Sequence, residues 1–525
     1  MADMVTRVRL LNVPLENDYV HTYYFTDKEF QRIYMEEKIV KSEIPECSYV
    51  RKDGVIRYPA HIDTLDGCNY VMYMNAGKST KWYYAFITHK EYKNEEMTEL
   101  TIETDVFQTY LDDYTVKPSF VEREHTIDDI VGRNTLPENL ETGEFICNNL
   151  VRDEKLQDYT YMIQVTEYTD GTKPAMTNFG GVWVAGGAYV CFHPNELATI
   201  IDLYSQKGKA DAIVSVYIVP EEIVQDYVAE GTVLYNGHEA PHTYNVSFDK
   251  PNNIDGYVPR NKKLMTFPYR YILLSNNAGS SNILQYEHFE GTECSFEIAS
   301  VPTVGCSIKC APLKYKGLER MQQEGLMLGK FPTCSWSSDL YTNWLTQNAV
   351  NLGIGVASSG LQLASGIGLM ATGGGALAGA GSIANGLLGI GQTVGQVYQM
   401  SFTPNSAEGN TNGGDINACY KMNTFYFHQM SIKEEYAKII DDFFDMFGYK
   451  TNRVKIPNVN HRLCYWYTKT IDANIDGAIP LEHLQKIKEC YNKGITFWRN
   501  KAHFGEYKLA DGTPLDNSIL PPATT

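Results

Sequence analysis

Hydrophobic and polar positions alternate in short bursts over roughly the first 330 residues of the chain, and the bursts are separated by turn-forming residues. Glu99–Val106 alternates strictly, with Leu100, Ile102, Thr104 and Val106 on one face, which predicts a half-buried strand. Lys81–Thr88 is aromatic and β-prone and follows a turn-like Asn75–Ser79. Val182–Ala185, Ala212–Val219 and Arg270–Leu274 have the short apolar form of buried strands, and Cys294–Val301 alternates again. One helix interrupts them at Pro194–Ser205, with Leu197, Ile200, Ile201 and Tyr204 on one side.

Beyond residue 430 the period changes. Ile432, Tyr436, Ile439, Ile440, Phe443, Phe444 and Phe447 form a helical stripe over four turns. Ser431 and Glu434 make a capping-box pattern at its start, and Gly448 stands where the chain must leave the helix. A second helix is predicted from Pro480 to Tyr491, stopping at Asn492–Gly494 before a strand at Ile495–Trp498. Both stripes are expected to face a core or a neighbouring subunit.

Between these regions the pattern fails altogether. Leu340–Ala407 contains no Asp, Glu, Lys, Arg or His, where the chain's own 21% charged share would put roughly 14 charges. Within it, Ala349–Gln396 also lacks aromatics and proline, and holds 14 of the chain's 42 glycines. Its apolar positions include Leu361, Leu363, Ile367, Leu369, Met370, Leu377, Ile383, Leu387, Leu388, Ile390 and Val394. Among them lie Gly366, Gly368, Gly373, Gly374, Gly375, Gly379 and Gly381, which supply conformational freedom. A permanent membrane helix fits poorly: the apolar content is diluted, each glycine costs a helix about 1 kcal/mol, and basic anchors are missing. A polar linker fits poorly too, because this segment left in water is an aggregation liability. Gly375-x-x-x-Gly379 and Gly391-x-x-x-Gly395 are spacings that permit close helix contact in lipid. The composition resembles that of viral fusion peptides, which are apolar, glycine-rich and hidden before use. An apolar loop buried inside an oligomer is the other reading.

Composition narrows the function. At 525 residues two to four domains are expected. A net charge of −18 argues against a surface that grips nucleic-acid phosphates, although not against nucleic acid sliding past. The 37 tyrosines, against 21 Phe and 6 Trp, suit half-buried strands and interfaces. Eleven scattered cysteines without a C-x-x-C pair read as reduced, mostly buried thiols, and the N-terminus shows no secretory signal, so folding in a reducing cytoplasm is expected. Gly77-Lys78-Ser79 is no phosphate loop, because the first glycine of that pattern would fall on Met72. Gly353-x-Gly355 and Gly379-x-Gly381 lack the third glycine of a dinucleotide fingerprint, and the histidines make no metal pair. No enzyme, cofactor or metal is expected.

Several blocks together resemble the tail-knob, or distal tail-tube, proteins of short-tailed phages that infect Gram-positive bacteria. They are Val13-Pro14, Asn17-Asp18-Tyr19, Phe25-Thr26, Lys81–Phe86, Glu91–Asn94, Asp105–Thr109 and Ser119–His125, then Gly448–Lys455 with Pro457-Asn458, and Gly494–Trp498. The uncharged segment falls between them, where that family carries a long hydrophobic loop. The resemblance implies a β-rich (α+β) multidomain chain whose tail-tube-like sheet domains form a hexameric ring or tube at the distal end of the virion tail. Its organisation would be an N-terminal β domain over 1–130, a middle β-rich region over 131–339, the loop over 340–407, and a C-terminal α/β region over 408–525 completing the tube. The implied partners are further copies of the chain, other tail proteins, the host membrane through the loop, and genomic DNA passing without specific binding. The competing readings are a receptor-binding or baseplate protein whose loop only cements subunits, and a tail-borne wall hydrolase.

Overall fold

The computed structural model describes residues 6–50, 54–75, 80–165, 167–171, 176–179, 182–185, 187–209, 212–227, 233–236, 242–300, 308–320, 323–329, 331, 333–335, 409–410 and 422–520. The chain divides into two compact units. One comprises Met1–Thr142, Pro259–Leu264 and Glu434–Thr525; the other comprises Gly143–Val258 and Met265–Lys433.

The first unit begins with strands β1 (Thr6–Leu11) and β2 (His21–Tyr23), helix α1 (Lys28–Glu36), and strands β3 (Ile39–Val50), β4 (Val55–Tyr58), β5 (Tyr70–Asn75), β6 (Tyr83–Asn94) and β7 (Met97–Thr104). The short helix α2 (Val106–Thr109) and strands β8 (Tyr114–Val116) and β9 (Ser119–Glu124) follow. Strands β1, β3, β4, β7, β6 and β5 close in that order into a barrel. Alternation is the cause: Val8, Leu10, Ile56, Tyr58, Val71, Tyr73, Ala85, Leu100 and Ile102 form one buried cluster. Closure also removes the free strand edges that would otherwise invite aggregation.

The alternating run at 99–106 stops two residues early, at Thr104. Asp105 accepts the backbone N–H groups of Phe107 (3.0 Å) and Gln108 (3.1 Å), which caps α2 and turns the chain, so Val106 begins a helix. Tyr70 Oη donates a third bond to it at 2.9 Å. Burial nevertheless outweighs these donors and pushes the Asp105 carboxyl up to about 6. The folded state therefore holds this proton more tightly than the unfolded chain does. As pH rises from about 4 to about 6 the unfolded state ionises first, and the group withdraws on the order of 3 kcal/mol of stability. In Asp105→Asn this component of the pH dependence should vanish. Urea unfolding at pH 4 and pH 7 checks it, and equal pH slopes for wild type and variant would refute it.

The second unit contains β10 (Phe145–Arg152), β11 (Tyr159–Val165), a hairpin of β12 (Met176–Phe179) and β13 (Val182–Ala185), β14 (Gly187–Cys191), α3 (Pro194–Gln206), β15 (Ile213–Pro220) and β16 (Val233–Asn236). It continues with β17 (His242–Asp249), β18 (Arg270–Ser275), β19 (Ser281–Leu284), β20 (Glu293–Ser300), β21 (Ile308–Tyr315), β22 (Leu318–Arg320), β23 (Leu326–Leu328), β24 (Thr333–Ser335), β25 (Gly409–Asn410) and β26 (Tyr426–Ile432). Three sheets share one core. The sheet β10-β26-β18-β19 contributes Ile272, Leu274 and Phe427, the sheet around β17, β20 and β21 contributes Phe296, Ile298 and Ile308, and the sheet β16-β14-β11-β15-β24-β25 contributes Met162, Tyr217 and Val219. The predicted helix at 194–205 is α3, with Ile200 and Tyr204 buried and Leu197 and Ile201 packed beside them. The turn expected at 75–79 has residues 76–79 outside the described residues.

The chain then re-enters the first unit through α4 (Glu434–Phe447), β27 (Tyr449–Lys455), β28 (Tyr465–Asp472), β29 (Ile475–Gly477), α5 (Leu481–Lys493) and β30 (Ile495–Trp498). Strands β2, β30, β28, β9 and β27 form a sheet, and β2 runs parallel to β30. The capping box expected at Ser431 and Glu434 is not made. Ser431 and Ile432 lie in β26, opposite Ile146 and Phe145, and Ile432 N–H donates to the Tyr269 carbonyl at 3.0 Å. Sheet pairing therefore claims the backbone that a helix cap would have used. The predicted stripe is also rotated: Ile440 and Phe444 are buried, but Ile439 is 65% exposed and Asp441 is fully buried.

Asp441 is buried for a reason. Its carboxylate accepts Arg260 N–H (2.8 Å), Asn261 N–H (3.0 Å) and Asn261 Nδ2 (2.8 Å), and so pins the short strap Pro259–Leu264 to α4. The strap is held again where buried Lys263 meets buried Glu138, which also pairs with Arg123. A buried charge with this many partners is tolerated; alone it would not be.

Where β9 meets β28 and the end of α4, His125 is locked as a neutral ring. Its Nδ1 accepts Tyr467 N–H at 2.7 Å, its Nε2 donates to the Asp445 carbonyl at 2.8 Å, and burial drives it down to about 3. Beside it the Glu124 carboxylate accepts from Lys455 Nζ (2.5 Å) and Asn458 N–H (2.7 Å).

Candidate functional site: the root of the uncharged segment

Residues 340–407 lie outside the described residues, and with them all eleven apolar positions from Leu361 to Val394 and the seven glycines from Gly366 to Gly381. The places where the chain departs and returns are described. Strand β24 pairs antiparallel with β25, Thr333 opposite Asn410 and Cys334 opposite Gly409. The 73 residues from 336 to 408 therefore begin and end on neighbouring strands.

This root stands on a firm base. Strand β24 pairs with β15 through Ser215↔Ser335, Val216↔Cys334 and Tyr217↔Thr333. Strand β15 in turn pairs along its whole length with β11, where Met162, Ile163 and Val165 are fully buried. Strands this apolar are held by burial on both faces, and the β-branched residues Ile213, Val216 and Val219 favour the extended backbone. Closing a loop of this length is thermodynamically cheap, since each doubling of length costs only about 0.6 kcal/mol. A root of two residue pairs is enough.

Downstream, the returning chain is tied into the core before it forms β26. Thr424 Oγ1 donates to the Asp153 carbonyl (2.5 Å), and Asp153 N–H donates to the Phe425 carbonyl (3.1 Å). The Asp153 carboxylate accepts Tyr244 Oη (2.6 Å) and Lys155 N–H (3.1 Å), and burial raises its pKa. Phe425 and Phe427 are fully buried. The returning chain is thus tied into the core at Thr424 and Phe425.

The root was missed from the sequence. Three- and two-residue strands are too short for a period-2 signal, and their pairing spans a separation that no local pattern encodes. Among the described residues no group of His, Cys, Asp or Glu is arranged to hold a metal ion, and no helix is long and apolar enough to cross a membrane. The site's chemistry is that of an anchored, uncharged insertion.

Residues 234–511, more than half of the chain, match the model of the C-terminal domain of the Bacillus phage phi29 tail knob protein gp9. The chain belongs to the tail-knob family of short-tailed phages infecting Gram-positive bacteria. Residues 4–115, which contain the barrel, match the N-terminus of caudoviral major tail proteins. The tail-knob resemblance runs end to end: the chain is 25% identical to the tail knob protein gp9 of Bacillus phage B103 and 25% identical to that of Bacillus phage phi29, each over 96% of this chain and 98% of the relative. The solved tail knob protein gp12 of bacteriophage C1 shares its fold, with a TM-score of 0.62 at 14% identity over 95% of this chain and 97% of that one. The tail-knob chain is a structural protein of the phage virion tail.

Proposed function

We propose that this tail-knob protein forms a hexameric tube through which the phage genome leaves, and that its uncharged segments plug the tube, then enter the host membrane and open a channel. The observation that carries this reading is the closed root: 73 residues, 68 of them a stretch without a single charged side chain, begin and end at one point on a packed sheet. Such an insertion can exchange one environment for another while its base stays folded. In water its apolar residues must be covered; in lipid each buried side chain gains about 25 cal/mol per Å². Its glycines let the backbone take whichever conformation each environment requires. The formal charge of −18, multiplied over six copies, favours an acidic or neutral lumen that repels phosphates rather than binding them.

The expected partners are further copies, neighbouring tail proteins, the membrane, and DNA in transit; synthesis in the host cytoplasm suits the unpaired cysteines. A disulfide across the root tests the reading. Residues directly opposite in antiparallel strands have Cα atoms roughly 4.5–5.5 Å apart, within disulfide reach. Thr333→Cys with Asn410→Cys should therefore cross-link. Purified particles should release dye from liposomes, and the oxidised variant should release it at the wild-type rate. No release by wild type contradicts membrane entry; release blocked by oxidation and restored by dithiothreitol contradicts a root that stays closed.

A further inference from the structure

The outer face of the sheet β10-β26-β18-β19 in the second unit is apolar where an exposed sheet face is ordinarily polar. Its inner face supplies Ile272, Leu274 and Phe427 to the core, so alternation turns their strand neighbours outward. Register then lines those neighbours up. Leu150, His428, Leu273 and Ile283 stand opposite one another in a row that crosses all four strands. Cys147, Met430 and Tyr271 make the next row. Leu150 is 48% exposed and Ile283 53%, at the two ends of the first row, and Leu273, Met430 and Tyr271 are half-buried. Phe145 and Phe267, both exposed, set their rings 5.4 and 6.1 Å from that of Tyr271. Single exposed apolar residues need no explanation; aligned rows of them on one face do.

Charge indicates what covers this face. Neither row, nor the aromatic cluster beside them, includes an Asp, Glu or Lys, and the Arg152 guanidinium at the sheet's end lies over the Tyr426 ring at 5.6 Å. Aromatic residues, Met and Arg in the absence of Asp, Glu and Lys make up the composition of a protein–protein interface core. A second copy is the partner this pattern selects. Each copy carries a formal charge of −18, so two copies repel wherever their acidic surfaces meet and adhere only where charge is absent. A basic partner would be drawn to the acidic surface instead.

We infer that this sheet face is a contact surface between copies of the chain, with Leu150, Leu273, Ile283 and Met430 at its centre. The inference rests on the ring-forming reading above and assigns one of the surfaces such a ring requires. Sedimentation of the full chain over a concentration series tests it, with Leu150→Glu/Ile283→Glu beside wild type. Wild type should self-associate. The double variant should do so about a hundredfold more weakly, because two apolar anchors become charges that the contact would have to bury. Leu318→Glu, on β22 in another sheet of the same unit and 52% exposed, should associate as wild type does and controls for added charge. Cys147 supplies a readout that needs no substitution. It is exposed on the face, so its alkylation by a maleimide, followed by peptide mass spectrometry, should slow in step with association.

Association unchanged in the double variant, or Cys147 alkylated at one rate at every concentration, overturns the inference and leaves the ring standing. A wild type that stays monomeric throughout overturns the ring as well. Protection of Cys147 at every concentration that disappears when residues 349–396 are deleted would put the chain's own segment on the face. A double variant that associates normally but no longer binds liposomes would put lipid there. Either result overturns a contact between copies.

Discussion

Replacing Gly448 with alanine should destabilise the first unit by about 3–5 kcal/mol, enough to leave most of the protein insoluble. Two independent penalties combine. Gly448 ends α4 at φ +63°, a left-handed conformation that costs a side-chain-bearing residue roughly 1–2 kcal/mol. An added Cβ would also lie well inside contact distance of the Glu124 carbonyl carbon and oxygen, and 2.5 Å from His125 N. Those atoms are backbone of β9 and the residue after it, so no side chain can swing aside. The neighbouring His125 and Glu124 interactions would be strained with it. Gly512 separates the two penalties: its φ is +83°, but nothing lies within 4 Å of a Cβ built there. Gly512→Ala should therefore cost only about 1 kcal/mol. Soluble yield and thermal melting distinguish the pair, and a Gly448→Ala protein melting within a degree or two of wild type would refute the steric account.

Much of the fold was readable in short-range pattern. Strands at 83–94, 213–220 and 270–275 and helices at 194–206 and 481–493 fall at the β-prone aromatic run, the short apolar runs and the helical segments read from the sequence. Their signal is local: side-chain type and apolar content for the strands, a buried helical face for the helices. What escaped was decided elsewhere. Ser431 looked like a helix cap, yet β18 competed for the same backbone from about 160 residues away. Ile439 belongs to the predicted stripe yet is exposed, whereas Asp441, outside that stripe, is buried because the strap at 259–264 brings backbone donors to it. The blocks that first pointed to tail-knob proteins turn out to be such junctions: Asp105 caps α2, His125 bonds Tyr467, and Gly448 clears Glu124.

The candidate site divides the same way. Composition alone exposed the uncharged segment, because 68 residues without a charge stand out against the rest of the chain. Its root stayed hidden, because residues 333–335 and 409–410 find each other only in three dimensions.

Deletion of residues 349–396 carries the largest functional effect and bears most directly on the central claim. The cut removes all eleven apolar positions from Leu361 to Val394 together with the segment's 14 glycines, and it spares β24, β25 and the root between them. The remaining flanks, 336–348 and 397–408, are long enough to bridge a two-pair root as a short connection. Both units should therefore fold and the tail should assemble as in wild type. The measurement is dye release from liposomes by purified particles, scored beside particle assembly on the same preparations. Intact particles whose release falls to the protein-free background are the predicted result. Particles that assemble and still release dye at the wild-type rate, or chains that fail to assemble because the segment cements them, would contradict a membrane-entering segment.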